Sequence, residues 1–222
     1  MCQLLEAVTA AFGQVIVLGK LVVYGNAAAT AANLLRHERL FWLGFASSLI
    51  GVVFHIAYAV LFYELFKPVN RRVSLFALVV LLVASAVQAL TAVLYLGPML
   101  ILNSGSSLSA FTAEQLHALA YTFIGLNGYA FDTHLVLFGL WCLLTGFLIF
   151  RCTFMPRVLG ILLMISGLGW LMYLVPPLAH LLFMPYIAVA SAIGEIPVEL
   201  WLIVITVNVQ RWKEQANVTR AT

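Results

Sequence analysis

The sequence predicts an all-α, polytopic membrane protein: a six-transmembrane-helix bundle, N-in and C-in, forming one integral membrane domain over residues 1–222. Three observations carry this. Only 9% of the residues are charged and 64% are hydrophobic, with a mean hydropathy of +1.08. A soluble domain carries about 25% charged residues, so this chain lacks the side chains to cover a water-facing surface. Apolar runs approaching or exceeding the ~20 residues that a membrane span needs recur along the chain. Basic residues, finally, fall mostly in alternate connections.

The first run, residues 4–23, is interrupted by Glu6, Gln14 and Lys20. It has neither a basic segment before it nor a small-residue cleavage site after it, so it reads as a membrane helix rather than a signal peptide. It is short for a span, and its cytoplasmic end is expected to be missing from the sequence. Lys20 reaches the interface by snorkelling. Gly25 to Arg39 is polar and alanine-rich, with Asn26 placed to cap a short surface helix. The second span, 40–66, holds His55; the third, 73–96, holds Gln88; the basic turn Lys67 to Arg72 joins them. In the third-to-fourth connection, Thr112 and Gln115 form a capping-box pattern. Leu116, Leu119, Ala120, Phe123 and Leu126 then share one face, which predicts a surface helix there. The fourth span, 129–150, carries Asp132 and His134 near its start. A second basic turn, Arg151 to Arg157, leads to the fifth span, 158–175, which Pro176 and Pro177 end. After a linker, the sixth span covers 186–209. Trp42, Tyr95, Tyr129, Tyr173, Tyr186 and Trp212 are expected in the interfacial aromatic belt.

Six spans place both termini on one side. Lys67, Arg71, Arg72, Arg151, Arg157, Arg211, Lys213 and Arg220 lie on that side, and only Lys20, Arg36 and Arg39 lie opposite. The positive-inside rule makes the richer side cytoplasmic. Gly139 and Gly146, seven apart, face a second pair, Gly160 and Gly167, at similar depth across the Arg151–Arg157 turn. Small residues let helix backbones approach closely, so the fourth and fifth spans should form a tight hairpin.

The inner turns also carry a resemblance. The runs Gly19 to Leu34, Leu61 to Leu75, Leu148 to Arg151, Pro156 to Gly160, Ile193 to Glu195 and Leu200 to Leu202 together resemble the DUF4386 family of bacterial integral membrane proteins, whose function is unknown. The resemblance covers nearly the whole chain. It implies a six-helix fold in the bacterial inner membrane, and it supplies no activity, cofactor or catalytic residue. The chain departs from it at Asn26, where the family pattern expects an aspartate. It departs again at its start, where the family pattern has more chain with basic residues.

Candidate chemistry lies in the intramembrane polar residues Glu195, Glu199, Asp132, His134, His55 and Gln88. Intramembrane ionisable residues are costly and mark ion or proton pathways by default. Glu195 and Glu199 are four apart and share a helix face; close together in low dielectric they cannot both ionise cheaply. The structural alternative is that Pro197 opens a new helix, with Glu199 in its first turn and Glu195 bonding the freed backbone groups. Asp132 and His134, two apart, point about 200° away from each other on a helix. His117, His180 and His37 are weak metal candidates, since none shows HxxxH or HExxH spacing. Bis-histidine haem between His55 and His134 is disfavoured by an expected depth mismatch near 15 Å, at about 1.5 Å per residue. Cys2, Cys142 and Cys152 are odd in number and form no CxxC. The net charge of +3 includes no nucleic-acid-binding patch. No cofactor, metal or nucleic-acid partner is expected. The lipid bilayer is the expected partner, with a homo-oligomer, a larger membrane complex and an unknown small-molecule ligand left open.

Three functions remain. The leading one is a non-enzymatic membrane protein that binds a ligand or partner, or serves as an accessory subunit. The second is a small proton-coupled transporter using the intramembrane carboxylates. The third is an outer-face, metal-dependent membrane hydrolase.

Overall fold

The computed structural model describes residues 1–221, with side chains except at 106 and 218–221. It is all-helical, with no strand among the described residues. Six helices are long and apolar enough to cross a membrane: α1 (Cys2–Leu21), α3 (Glu38–Phe66), α4 (Arg71–Leu102), α5 (Ala113–Arg151), α6 (Arg157–Leu174) and α7 (Pro176–Ile205). Two further helices are α2 (Ala27–Arg36) and α8 (Val209–Ala221). Helices suit this composition because lipid offers no hydrogen-bond partner, so each backbone group must be satisfied within its own segment.

Several boundaries differ from the expected ones, each for a local reason. The Thr112 capping box forms: the Thr112 amide donates to Gln115 Oε1 and the Gln115 amide to Thr112 Oγ1, at 2.9 and 3.3 Å. The helix it opens does not stop, however. The expected surface helix and the fourth span are one element of 39 residues, because no proline breaks the run and Gly125 and Gly128 are tolerated inside it. Pro176 and Pro177 sit in the first turn of α7 instead of ending α6 and preceding a linker. Proline fits there because the first helical N–H has no intrahelical acceptor anyway. The helix proper breaks at Met184, whose φ of −110° and ψ of 128° are extended. Among the expected belt residues, Tyr95 and Tyr173 are core residues at 2% and 7% exposure, while Tyr129 and Tyr186 are exposed.

The chain divides into two compact units. The first comprises Met1–Gln3, His55–Ser85 and the chain from Asp132 on; the second comprises Leu4–Phe54 and Ala86–Phe131.

In the second unit Asn26 caps α2, its Oδ1 accepting the Ala29 amide at 2.9 Å. Thr30 closes the loop before it by accepting the Val23 amide at 2.9 Å. Val17, Leu21, Leu34, Phe41, Tyr95 and Met99 form the core on which α2 rests. Gly13 allows α1 to approach α3: a Cβ there would lie 2.6 Å from the Gly44 carbonyl oxygen.

The first unit is built on the α5–α6 hairpin. A Cβ on Gly146 would lie 2.7 Å from the Gly160 carbonyl oxygen, and one on Gly139 would lie 2.8 Å from that of Gly167. The two glycine pairs therefore meet at matched depth, as their spacing predicts. Gly194 of α7 approaches α6 as closely: a Cβ there would lie 2.5 Å from both the Leu162 carbonyl oxygen and the Ser166 Cβ. Phe66, the last residue of α3, and Phe154, in the second basic turn, stack with centroids 5.9 Å apart. Trp212 of α8 donates its indole N–H to the Leu65 carbonyl at 2.9 Å.

Two substitutions separate close packing from mere glycine content. Gly160→Ala places a methyl group 2.5 Å from the Gly146 carbonyl oxygen, and overpacking of this kind costs about 1–3 kcal/mol. Gly128 has open space around it, so Gly128→Ala should stabilise by about 0.5–1 kcal/mol through the backbone-entropy term alone. Thermal unfolding in detergent should move down for the first and up for the second.

Candidate functional site

The first unit gathers most of the polar residues singled out in the sequence. Ser166, Trp170 and Tyr173 recur at i, i+4 and i+7 along α6 and so line one of its faces. Glu195 on α7 meets that face: its Oε1 accepts from Ser166 Oγ and from Trp170 Nε1, both at 2.6 Å. Gly194 lets α7 come close enough for these bonds. Both donors are neutral, and among the described residues no cation bonds this carboxyl group.

Glu199 lies one turn further on and is buried at 8% exposure. The helix Ala188–Leu200 runs through Pro197 without restarting. The capping arrangement, with Pro197 opening a new helix, is thus not what forms. Proline costs α7 one i→i−4 bond there, but packing on α6 holds the segment helical. The disturbance appears four residues later as a π-helical turn at Trp201–Ile205, and the helix ends at Thr206 with φ of +63°. Glu195 bonds side chains of the neighbouring helix rather than freed backbone groups.

Asp132 and His134 diverge as their spacing requires. Asp132 Oδ2 lies 3.0 Å from His180 Nε2, on the segment of α7 before its break. Asp132 is buried and the His180 side chain is 60% exposed. Tyr173 packs edge-on against His180, with centroids 5.6 Å apart. His134 turns the other way, its Nδ1 3.1 Å from the Ala84 carbonyl oxygen.

His134 and His55 are neighbours, with ring centroids 5.0 Å apart and planes at 89°. The expected depth mismatch does not exist. It assumed a fourth span starting at residue 129, whereas α5 starts at Ala113 and so places His134 21 residues along the helix rather than near its end.

In the second unit Gln88 donates to Glu6 Oε1 at 2.8 Å, and both are buried. Asn127 donates to the Thr91 carbonyl at 2.7 Å. His37 follows α2 on the exposed surface, and His117 is half-buried near the start of α5.

The family model for DUF4386, a domain of unknown function, matches residues 1–205. The chain belongs to the DUF4386 family. No curated protein and no solved structure matches it. What this DUF4386 member does must therefore be argued from its own side chains.

Some of those were invisible in the sequence. Ser166 and Trp170 read as ordinary span residues, and only their i, i+4 spacing hinted at a shared face. Glu6 interrupts the first apolar run, and nothing in the sequence pairs it with Gln88, 82 residues away. Outside the spans, Cys152 is buried in the Arg151–Arg157 turn, and burial pushes its thiol above the ordinary range, which leaves it a poor nucleophile. A cleft of about 450 Å³ beside this turn is lined by Thr153, Trp201, Asn208 and Arg211 among others; among the described residues no acid or histidine lines it.

The Asp132–His180 pair makes an asymmetric prediction. Removing the exposed partner by His180→Ala leaves a buried carboxyl unpaired, which costs about 1–3 kcal/mol. Adding Asp132→Asn to that variant should recover part of the loss, read as the shift in unfolding temperature across the double-mutant cycle.

Proposed function

We propose that this DUF4386 member is a small proton-coupled carrier of the bacterial inner membrane, with Glu195 as its proton-binding group. The observation that carries the reading is an intramembrane carboxyl group held by two neutral donors, Ser166 and Trp170, and by no cation among the described residues. An acid retained for structure alone would be served best by a fixed positive partner. One held by neutral donors can exist both with and without its proton, as a coupling site requires. The polar face of α6 favours a carrier over an accessory subunit, which would use its small residues for an outward, lipid-facing contact.

The irregular winding of α7 supports the same reading. Its break at Met184, its internal Pro197 and its π-helical turn give the helix that bears Glu195 several places to flex. Transporters commonly build their sites on interrupted helices of this sort. The distribution of basic residues supports both termini facing the cytoplasm.

In proteoliposomes loaded with a pH-sensitive dye, an imposed gradient should drive proton entry through the wild type. Glu195→Gln should lower it to the level of empty vesicles, and Trp170→Phe should shift its pH dependence while the protein still inserts. Unchanged flux in Glu195→Gln contradicts the reading. For orientation, a C-terminal alkaline phosphatase fusion should be inactive and a C-terminal fluorescent protein fusion bright; the reverse places the C-terminus outside.

A further inference from the structure

The carrier reading leaves His55 and His134 unused. Both are buried within the first unit, at 0% and 4% exposure. Their ring nitrogens lie within 4.8 Å of one another, with the rings edge-on at 89°.

The surroundings hold both rings in place. His55 stacks on Tyr58 at 5.0 Å and 20°, and His134 lies along Phe138 at 6.3 Å and 21°. A carbonyl oxygen can only accept, so the 3.1 Å contact with Ala84 puts the hydrogen of His134 on Nδ1 and the lone pair on Nε2. A backbone carbonyl behind one ring nitrogen is the arrangement that orients a metal-ligating histidine and raises its basicity.

We propose that His55 and His134 together ligate a transition-metal ion that prefers imidazole, copper or zinc. Nitrogen–metal bonds are about 2.0–2.1 Å long, so two nitrogens sharing an ion stand no more than about 4 Å apart. The separation already present needs little closure. Imidazole nitrogen suits copper and zinc alike, so the donor type leaves both ions open. The site differs from the hydrolase alternative weighed in the sequence, which drew on His37, His117 and His180. It is also independent of the carrier reading: a metal bound here leaves the Glu195 flux test unaffected in its logic, and failure of either leaves the other standing.

The test uses the full chain in detergent, purified with an affinity tag that contains no histidine. Copper(I) is titrated under anaerobic conditions against a chromophoric competitor, and zinc separately, with X-ray absorption on the loaded protein. We expect stoichiometric binding, with the outer-shell scattering of imidazole in the absorption spectrum. His55→Asn or His134→Asn should each weaken binding by about tenfold or more. The double variant His55→Phe/His134→Phe keeps the ring packing and should abolish binding. The proposal is overturned if the wild type retains neither metal after desalting, or if the double variant binds as the wild type does. It is also overturned if the bound metal shows no imidazole scattering, a result that needs no variant to fold.

Discussion

Close backbone approach between α5 and α6 is the constraint from which the first unit follows. Within lipid there is no hydrophobic effect to press helices together, so packing of small residues must do it. Gly139 against Gly167 and Gly146 against Gly160 bring carbonyl oxygens to within about the reach of a Cβ, at two levels one heptad apart. This fixes which face α6 gives to α5. The remaining face, with Ser166, Trp170 and Tyr173, is then left to α7, where Gly194 admits it at equally short range. Glu195 finds two hydrogen-bond donors because glycines on either side of α6 leave its rotation no freedom.

Placement of the acid explains the tolerance of α7 for irregularity. Non-helical backbone at membrane depth survives only where protein or water meets the freed groups. The break at Met184 follows the segment whose His180 bonds Asp132, and the turn after Leu200 follows the segment fixed to α6 through Glu195. Each irregular stretch is flanked by a polar attachment to a neighbouring helix. A helix anchored at His180 and Glu195, with one soft turn between the anchors and another beyond them, suits the carrier proposed above.

Much of the fold was legible in the sequence because apolar length and glycine spacing are sufficient statements of it. The six spans, the Asn26 cap, the Thr112 capping box and the facing glycine pairs follow from local chemistry, and each is present. The failures share a cause. Residues 113–128 carry enough polar groups to resemble a surface element, yet no breaker separates them from residue 129, so the helix simply continues. That error of start displaced His134 and hid its proximity to His55. Pro176 marks a break in the sequence, and Pro197 does so in one of the two readings of its segment, because proline cannot continue a hydrogen-bond ladder. Position in the first turn, in one case, and packing on α6, in the other, removed the penalty. Glu195 was legible as a candidate, but its donors were not, since nothing local to Ser166 or Trp170 marks them as partners of a residue more than 20 positions away.

The most direct measurement of the central claim is infrared difference spectroscopy of the reconstituted protein across a pH step. The carboxyl band of Glu195 is identified by its loss in Glu195→Gln. The account predicts a band that appears and disappears with pH and that changes frequency when Trp170→Phe removes one of its two hydrogen-bond donors. A carboxyl band that ignores both the pH step and the loss of the indole would contradict it.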